Sequence, residues 1–442
     1  MGAASPVNRG IRAVFAKAPA RCRVLSALFC MTVRTRKAPS ATSALSERLD
    51  TRAAASEIAS QLAAASIVRP DLLVVFGTYH HRALFSDAVE LLRGELHPAH
   101  ILACTTEGVV ADAHEVERSA GLAALALRLP GVVMRPFHFS LVDGPPAVWS
   151  DGFIRDRVSL PPDEGALPHR GILMLADPFA VHTGQACAAI ERAAGPAGAR
   201  IFGGVASGAS HAGLNVLVAD RRTCHEGIVG LSLFGDILID GVVSQGCRPV
   251  GQPLVVTRAR GSELLEIGGR PALTVVQELA QSLDERDQKL LAGGFLVGIA
   301  RDPTKPRLGR GDFLVRPVLE VREATRSLLL TDAIATGSTI QFQIRDAQTA
   351  HDDLALLLSA EQLRSRPVAS LLFTCNMRGT RMFEAAGHDA RFASARLGGA
   401  PIAGFHAAGE IGPLVDHATG LRSHLHTQTA SLAIFRAVQG EP

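Results

Sequence analysis

Three segments of the chain repeat one pattern: AHILACTTEG at residues 99–108, ARIFGGVASG at residues 199–208 and APIAGFHAAGE at residues 400–410. In each segment a short apolar run leads into a turn of small residues, as expected where a β-strand ends. Another apolar run stands roughly thirty residues before each segment, at 72–76, 172–175 and 371–373. That separation is typical of a strand–helix–strand crossover, because two parallel strands need such a connection between them.

The residues between the paired runs favour helices, since Leu84, Ala88 and Leu91 recur at spacings of four and three. A third apolar run follows each crossover, at 122–129, 228–234 and 429–435. Such long apolar runs are typical of central strands that are buried on both faces. The sequence therefore predicts a mixed α+β (α/β) fold, in which a β-α-β-β unit occurs three times and forms mixed sheets in two domains.

The rest of the chain differs from these units. Residues 236–282 predict strands followed by a helix at 272–282, and residues 293–345 are rich in predicted strands. A helix predicted at 352–363 leads into the third unit. The domains that we expect are a basic, disordered tail at 1–46, an N-terminal domain at 47–250 and a C-terminal domain at 251–442.

The composition is that of a globular protein, with 442 residues of which 47% are hydrophobic and 20% charged. The net charge of +3 is unevenly placed, because residues 1–46 hold eight basic residues and no acidic one. Subtracting those eight charges from +3 leaves a body of net charge −5. A nucleic-acid surface needs clustered Lys and Arg on the folded part, so we expect no nucleic-acid partner.

The seven cysteines include no CxxC pair, which disfavours a disulfide framework and a structural zinc site. No stretch approaches the ~20 apolar residues of a membrane span. The apolar run at 24–29 is shorter than the core of a signal peptide. We therefore expect a cytoplasmic protein with reduced thiols and no membrane contact.

Five motifs in the second half of the chain resemble those of a known family: DGVVSQGCRPVG at 240–251, GRGDFLVR at 309–316, QFQIRDA at 341–347, CNMRG at 375–379 and GFHAAGEIGP at 404–413. The last two resemble the C-N-x-R-G and G-F-x-x-x-G-E-I-G-P signatures of the FIST family (F-box and intracellular signal transduction proteins). The motifs keep the family's order, and the resemblance extends from about residue 50 to the end of the chain.

The resemblance implies an N-terminal FIST domain followed by a FIST C domain. It also implies a sensory role in signal transduction with small ligands such as amino acids, and some members are haem-binding nitric-oxide sensors paired with histidine kinases. The chain departs from the family pattern at Met377, where Gly is usual, at His406, where a small residue or Cys is common, and at Thr106, where Gly usually precedes the Glu. These departures bear on the identity of the ligand more than on the fold.

The clearest candidate site lies in the third unit, because ligands of open α/β sheets favour the carboxyl ends of strands. Arg378 offers a planar fork for a carboxylate and Glu410 a partner for an amine, so together they suit a zwitterion. The same two residues could instead form an internal ion pair, and the sequence does not choose between these possibilities. The ligand-binding residues that we predict are Cys375, Asn376, Arg378, Gly379, His406, Glu410, Asp177 and Ser207.

Two of these residues allow a different interpretation, in which Cys375 is a nucleophile and His406 its base. A buried structural thiol is the commoner outcome, and the sequence has neither a G-x-S-x-G nor an HExxH motif. We therefore expect no enzyme. Asp177, which precedes Pro178, either contacts a ligand or caps a turn.

The sixteen histidines raise the possibility of a metal or a haem. His80 and His81 are adjacent, and His424 and His426 would share one face of a strand, but no third metal ligand is evident. We therefore expect no metal and no cofactor, with haem as the possibility to test. The candidate axial haem ligands, among which nothing in the sequence selects, are His182, His211 and His406.

Our leading hypothesis is a sensor of signal transduction that binds an amino acid or a similar small polar molecule. The chain has no kinase, cyclase or DNA-binding motif, so we expect it to act through a separate partner, such as a histidine kinase. One alternative is a haem-binding nitric-oxide sensor that acts on a histidine kinase. Another is an uncharacterised cysteine-dependent enzyme.

Overall fold

The computed structural model describes residues 38–160, 167–195, 198–416 and 420–438. By its internal contacts, Pro39–Pro442 forms one compact unit. In the described ranges, no helix is long and apolar enough to cross a membrane.

The described residues form eight α-helices and twenty-five strands, and most of the strands follow one another in runs between the helices. The helices are α1 (Thr51–Ala64), α2 (Phe85–Leu96), α3 (Asp151–Arg157), α4 (Thr183–Ala194), α5 (Ala272–Ser282), α6 (Glu285–Ala292), α7 (Ala347–Glu361) and α8 (His388–Arg396). The strands before residue 236 are β1 (Ser40–Ser46), β2 (Leu72–Thr78), β3 (His100–Thr106), β4 (Gly108–Ala111), β5 (His114–Glu117), β6 (Leu122–Arg128), β7 (Val132–Phe139), β8 (His169–Ala176), β9 (Ile201–Val205), β10 (Leu217–Ala219), β11 (Arg222–Cys224) and β12 (Ile228–Gly235). The later strands are β13 (Ile237–Gln245), β14 (Cys247–Arg260), β15 (Glu263–Ile267), β16 (Arg270–Pro271), β17 (Phe295–Ala300), β18 (Phe313–Arg322), β19 (Ser327–Leu330), β20 (Thr339–Arg345), β21 (Ala369–Cys375), β22 (Ile402–Ala407), β23 (Gly409–Asp416), β24 (Gly420–His426) and β25 (Thr429–Ala437).

The strands form four sheets. Sheet 1 has the order β1-β6-β2-β3-β10-β11, and sheet 2 has the order β24-β23-β9-β8-β12-β7. Sheet 3 has the order β13-β25-β21-β22-β4-β5. Sheet 4 has seven strands in the order β14-β20-β17-β18-β19-β15-β16.

The centres of the first three sheets confirm the predicted repeat. In sheet 1, β2 and β3 are parallel and β6 lies antiparallel beside β2. The same arrangement recurs for β8, β9 and β12 in sheet 2, and for β21, β22 and β25 in sheet 3. We call these three units repeat 1, repeat 2 and repeat 3, and they confirm the predicted mixed α+β class.

Each of these sheets is completed by a hairpin that belongs to another repeat. The hairpin β4–β5 directly follows β3 of sheet 1 but pairs with β22 of sheet 3. The hairpin β10–β11 follows β9 but pairs with β3, and β23–β24 follows β22 but pairs with β9. The exchange is cyclic, so the three repeats interlock and their strand ends meet at one place.

A common core lies between the inner faces of the three sheets. The Phe76 ring centroid is 4.8 Å from that of Phe405, which is 5.5 Å from that of Phe373. Along β2, Leu72, Val74 and Phe76 face this core, while alternate residues face α1 and α2. Helices α3 and α4 cover sheet 2, and α7 and α8 cover sheet 3. Burial on both faces explains why the central strands are almost entirely apolar.

Side chains of aspartate fix where the longer helices begin. Asp50 accepts a hydrogen bond from N of Ala53 at 2.7 Å at the start of α1. Asp346 accepts from N of Gln348 and N of Thr349 at 3.0 and 3.2 Å at the start of α7. These oxygens satisfy amide groups that have no partner within the helix.

Two expectations change at the edges of the fold. Residues 40–46 form β1 and pair with β6, so the expected disordered tail is wrong for this segment because its apolar side chains complete a sheet edge. Residues 1–37 lie outside the described residues. The expected domain boundary at residue 250 falls within β14 and stays a prediction.

Candidate functional site

The end of β21 and the loop after it carry four predicted ligand-binding residues, of which Cys375 is the last residue of the strand. Arg378 is fully buried, and its Nε and Nη2 donate to Oδ2 and Oδ1 of Asp389 at 2.7 and 2.8 Å. Asp389 lies in the first turn of α8, where Oγ1 of Thr374 also donates to it at 2.6 Å. The guanidinium fork is therefore already engaged by a carboxylate of the chain itself.

Burial and charge act in opposite directions on this ion pair. Burial alone would raise the pKa of the Asp389 carboxyl, but the Arg378 guanidinium holds that pKa far below its usual range. The Phe383 ring centroid lies 5.3 Å from the guanidinium carbon and adds a cation–π contact. Removing either partner would leave an uncompensated charge in the interior.

Glu410 does not pair with Arg378, so the internal Arg–Glu pair considered from the sequence is wrong. Asp389 takes that place because α8 follows the loop and presents it in its first turn. Glu410 is fully buried on β23, where its Oε2 accepts from N and Oγ1 of Thr429 at 3.0 and 2.7 Å. Burial raises the pKa of Glu410 to about 8. The two charged groups proposed to hold a zwitterion thus each have their own internal partners.

Cys375 and His406 form polar contacts with different residues and not with each other. Sγ of Cys375 lies 3.9 Å from Oδ1 of Asn376, and burial raises the pKa of the thiol well above its usual value. His406 faces Glu115, with its Nε2 3.3 Å from Oε2 of that carboxyl. Burial disfavours the charged imidazole, but Glu115 and Glu117 raise the pKa of His406 above its usual value. The raised pKa disfavours the thiolate that nucleophilic cysteine chemistry needs.

The predicted residues Asn376, Ser207 and His406 meet where the three repeats come together. Oγ of Ser207 donates to the carbonyl oxygen of His406 and accepts from N of Glu107 at 2.8 Å. Nδ2 of Asn376 donates to Oε2 of Glu107 at 3.0 Å, and Arg381 forms an ion pair with Glu107 at 2.6 Å. We call this place the repeat junction, since Glu107 comes from repeat 1, Ser207 from repeat 2 and the others from repeat 3.

A cavity of about 10 Å³ opens at the repeat junction. It has room for roughly one water molecule, which is far less than an amino acid needs. Gly379 packs against the lining residue Glu117: its φ is +55°, and a Cβ there would lie 2.6 Å from the carboxyl carbon of Glu117. The cavity is lined by Glu107, Gly108, Glu117, Arg118, Asn376, Arg381 and His406.

Asp177 occupies the equivalent loop end in repeat 2, and its contacts are those of a turn cap. Its Oδ2 accepts from N of Phe179 at 3.0 Å, and its Oδ1 accepts from Nδ2 of Asn215 at 2.9 Å. Both oxygens are engaged and the residue is fully buried. The turn-capping alternative therefore describes Asp177.

A much larger opening, a cleft of about 1290 Å³, lies between repeat 2 and sheet 4. Its walls come from α4, from β24, from β18 and from the loop at 331–333. A volume of this size exceeds the usual range for small-molecule sites. The cleft therefore has room for a ligand of several atoms.

The cleft contains charges of both signs together with hydroxyl groups. Arg316 forms an ion pair with Asp332 across one wall, and Asp332 is 41% exposed while Arg316 is nearly buried. On the opposite wall Nη1 of Arg422 lies 3.2 Å from Oε2 of Glu191. The hydroxyl groups come from Ser262, Thr331 and Thr427, among others.

The three histidines considered as axial haem ligands lie in different surroundings. His182 lines the cleft just before α4. His211 is exposed on a loop, and His406 is buried at the repeat junction. Of the other candidates, His426 is held by the carbonyl oxygen of Gly412 at 3.0 Å, and burial lowers its pKa to about 3.

Sequence reasoning missed several acidic residues that complete these sites, among them Asp389, Glu115 and Glu117. Asp389 had no signal of its own, because its partner is found only once α8 is placed against the loop. Glu115 and Glu117 did carry a signal, since they alternate along the short segment HEVE at 114–117 and so share one face of a strand. What the sequence could not show is that this strand would lie in the sheet of repeat 3, close to His406.

Three swapped β-α-β-β repeats with a fourth, seven-stranded sheet define a mixed α+β protein of two sequence domains. Family models match both of them: the FIST N domain over residues 71–270 and the FIST C domain over residues 272–413. The chain belongs to the FIST family. FIST domains are associated with signal transduction and small-ligand sensing.

The chain is also similar over most of its length to uncharacterized mycobacterial proteins. An uncharacterized protein of Mycobacterium tuberculosis is 35% identical over 368 residues, which cover 83% of this chain and 91% of the relative. An uncharacterized protein of Mycobacterium bovis is 35% identical over 373 residues, which cover 83% of this chain and 90% of the relative.

A crystal structure of cyanuric acid hydrolase from A. caulinodans aligns with 91% of this chain and with 100% of its own chain. The TM-score is 0.35 and the sequence identity 10%.

Proposed function

We propose that this protein is a sensor of signal transduction that binds an amino acid or a similar small polar molecule in the cleft. The observation that carries the proposal is the Arg316–Asp332 pair, which places a guanidinium and a partly exposed carboxylate side by side in a large opening. Arginine suits a carboxylate and aspartate suits an amine, so the pair is complementary to a zwitterion.

In this proposal the ligand binds in the cleft and not at the loop after β21. Arg378 in that loop and Glu410 on β23 are buried and engaged with Asp389 and Thr429, and the cavity beside the loop has a volume of only about 10 Å³. The cleft, in contrast, combines both charges with exposed polar walls. The ligand carboxylate would take the place of Asp332 on Arg316, and the released Asp332 would hold the ligand amine.

The same exchange gives a route for a signal. Asp332 lies in the loop between β19 and β20 of sheet 4, whereas the opposite wall of the cleft belongs to repeat 2. A ligand that pulls Asp332 off Arg316 changes the contacts of that loop. In this proposal a separate partner protein, such as a histidine kinase, reads the change.

The test is a thermal-unfolding screen of the full chain against the common amino acids and small carboxylates, followed by titration calorimetry. A ligand present at 100 times its Kd should stabilise the protein by about 2.7 kcal/mol. Asp332→Asn keeps the shape of the side chain but removes its charge, so it should weaken binding of the amine-bearing ligand. Glu266→Gln is the matched control, because Glu266 pairs with Arg258 outside the cleft lining.

Two results would overturn this proposal. One is a screen in which no compound stabilises the protein. The other is an Asp332→Asn variant that binds as tightly as the original chain. A Soret band at one haem per chain, lost in His182→Ala, would favour the haem alternative instead, because His182 lines the same cleft.

A further inference from the structure

The repeat junction holds three side chains of the types that ligate metal ions in one small volume. The donor atoms of Glu115, Glu117 and His406 all lie within 4.8 Å of one another. We call these three residues the Glu–Glu–His cluster. It lies apart from the cleft, and its residues play no part in the function proposed above.

The strand register explains how residues distant in sequence come together. Glu117 lies opposite Gly108 across the β4–β5 hairpin, and Glu115 lies opposite Val110. On the other side of β4, Phe405 pairs with Val109, so the next residue of β22, His406, comes beside Gly108. Because side chains alternate along strands, both glutamates and the histidine are on one face of sheet 3.

Gly108 lies between these side chains, and its lack of a side chain leaves the space in which they meet. A Cβ at Gly108 would lie 2.9 Å from Cδ2 of His406 and 2.8 Å from the carbonyl oxygen of Val116. Real Cβ atoms essentially never approach other atoms this closely. The missing side chain lets the imidazole lie against the middle strand and reach the glutamates beyond it.

Two of the donor atoms are buried and have no hydrogen-bond partner among the described residues. They are Nε2 of His406 and Oε2 of Glu115. The two atoms form an ion pair at 3.3 Å that falls short of hydrogen-bond geometry, and the His406 side chain is 3% exposed. Buried polar atoms are normally hydrogen-bonded, so two donor atoms that are held only by this ion pair are well placed to share a bound ion.

The remaining oxygens of the glutamates are already held in place. Oε1 of Glu115 accepts from N of Ala390 at 2.8 Å, at the start of α8. The Glu117 carboxylate accepts from Oγ1 of Thr380 at 2.8 Å and from its N at 3.1 Å. Such outer contacts orient metal-binding carboxylates and are a regular part of metal sites.

The cavity of about 10 Å³ lies against this cluster and is lined by Glu117 and His406. A volume of that size accommodates about one water molecule. It therefore offers an open coordination position beside the protein donors and a way in from the surface, where Arg118 is exposed.

We propose that Glu115, Glu117 and His406 bind one divalent transition-metal ion, with zinc as the first choice. One imidazole nitrogen and two carboxylates are a donor set that suits Zn²⁺, which commonly takes three protein ligands and a water. Imidazole disfavours Mg²⁺ and Ca²⁺, which prefer oxygen ligands throughout. Because the donors come from repeat 1 and repeat 3, the ion would tie the swapped hairpin to its host sheet.

The experiment is titration calorimetry of the tag-free, EDTA-treated full chain with Zn²⁺, with Mg²⁺ and Ca²⁺ titrated in parallel. We expect one Zn²⁺ per chain and a higher melting temperature of the zinc-bound protein, with much weaker binding of the other two ions. Glu117→Gln should weaken zinc binding by about 10- to 100-fold or more, since it removes a direct ligand. Glu117 is partly exposed, so this variant should keep the fold, which circular dichroism would check.

Glu107→Gln is the matched control, because Glu107 lines the same cavity but is not part of the cluster. Its zinc affinity should equal that of the original chain. The proposal is overturned if no stoichiometric zinc binds, if Ca²⁺ or Mg²⁺ binds as tightly as Zn²⁺, or if Glu117→Gln binds zinc unchanged. Equal weakening by both variants would also overturn it, since that result indicates a general effect of negative charge.

Discussion

The repeat junction and the cleft are both polar, but they use their charged groups in opposite ways. At the junction and the loop beside it, ionisable groups such as Arg378, Asp389 and Glu410 are buried and engaged with one another or with Thr429. In the cleft, Asp332 is exposed beside Arg316 in an opening of about 1290 Å³. The difference teaches that a polar motif at a strand end can serve to join repeats, while the ligand-sized opening lies elsewhere.

The largest effect that we expect comes from breaking the closed ion pair. Arg378→Ala leaves the buried Asp389 carboxylate without its partner and should lower the free energy of unfolding by about 3–5 kcal/mol. Urea denaturation measures this loss. Arg258→Ala, which removes an exposed ion pair with Glu266, should cost less than about 1 kcal/mol. If both variants lost the same free energy of unfolding, the buried ion pair would be no more important for stability than the exposed one.

A pH dependence should follow from Glu410. The pKa of this carboxyl rises from an ordinary value of 4.5 to about 8 in the folded protein, because burial disfavours its charge. Between these values the unfolded chain has lost the proton that the folded chain keeps, so stability should fall as the pH rises from about 4.5 to about 8. Below that window the group is neutral in both states and imposes no penalty.

The measurement is denaturant unfolding of the protein and of Glu410→Gln at a series of pH values. The variant should lose this part of the slope, whereas Glu90→Gln, at an exposed position, should leave it unchanged. A slope that is the same with and without Glu410 would show that the group ionises freely and that its surroundings are wetter than their burial indicates.

A smaller difference in stability should distinguish alanine substitution at a glycine of the repeat junction from alanine substitution at a surface glycine. Gly108→Ala places a Cβ against the carbonyl oxygen of Val116 and the ring of His406, which should cost roughly 1–3 kcal/mol of stability. Gly94→Ala meets nothing within 4 Å in α2 and should stabilise by about 0.5–1 kcal/mol. Thermal unfolding compares them, and opposite signs are the expected result.

The mildest test is one of access and needs no mutation. In the native protein a thiol reagent should modify the partly exposed Cys224 well before the buried Cys375, whose pKa burial raises well above its usual value. Site-resolved mass spectrometry after timed labelling measures both. Fast labelling of Cys375 would mean that the loop after β21 opens readily and would revive the cysteine-enzyme alternative.

Much of the fold follows from the sequence because the signal is local. The third apolar runs at 122–129, 228–234 and 429–435 appear as β6, β12 and β25 with nearly the predicted bounds. The helix predicted at 272–282 is α5. Long apolar runs and helical spacing report on burial and periodicity, and both are properties of neighbouring residues.

The parts that could not be predicted depend on residues far apart in the chain. Nothing near β4 indicates that it pairs with β22, because any exposed sheet edge would satisfy its backbone groups. The prediction of the site failed for the same reason. Arg378 and Glu410 were paired because their charges are opposite, whereas the packing of α8 brings Asp389 to the guanidinium of Arg378. The cleft has walls from α4 and β18, which no motif links.

The cyclic exchange of hairpins has a consequence for the order in which the chain can fold during synthesis. The first strand of sheet 2 to be synthesised is β7, whereas its β23–β24 edge is formed by a hairpin much later in the chain, at residues 409–426. Until that hairpin leaves the ribosome, β9 presents an open strand edge, and such edges invite pairing with other chains. Folding must therefore wait for long-range contacts, which is slow, and the nascent N-terminal half should depend on chaperones more than a self-contained domain of its size would.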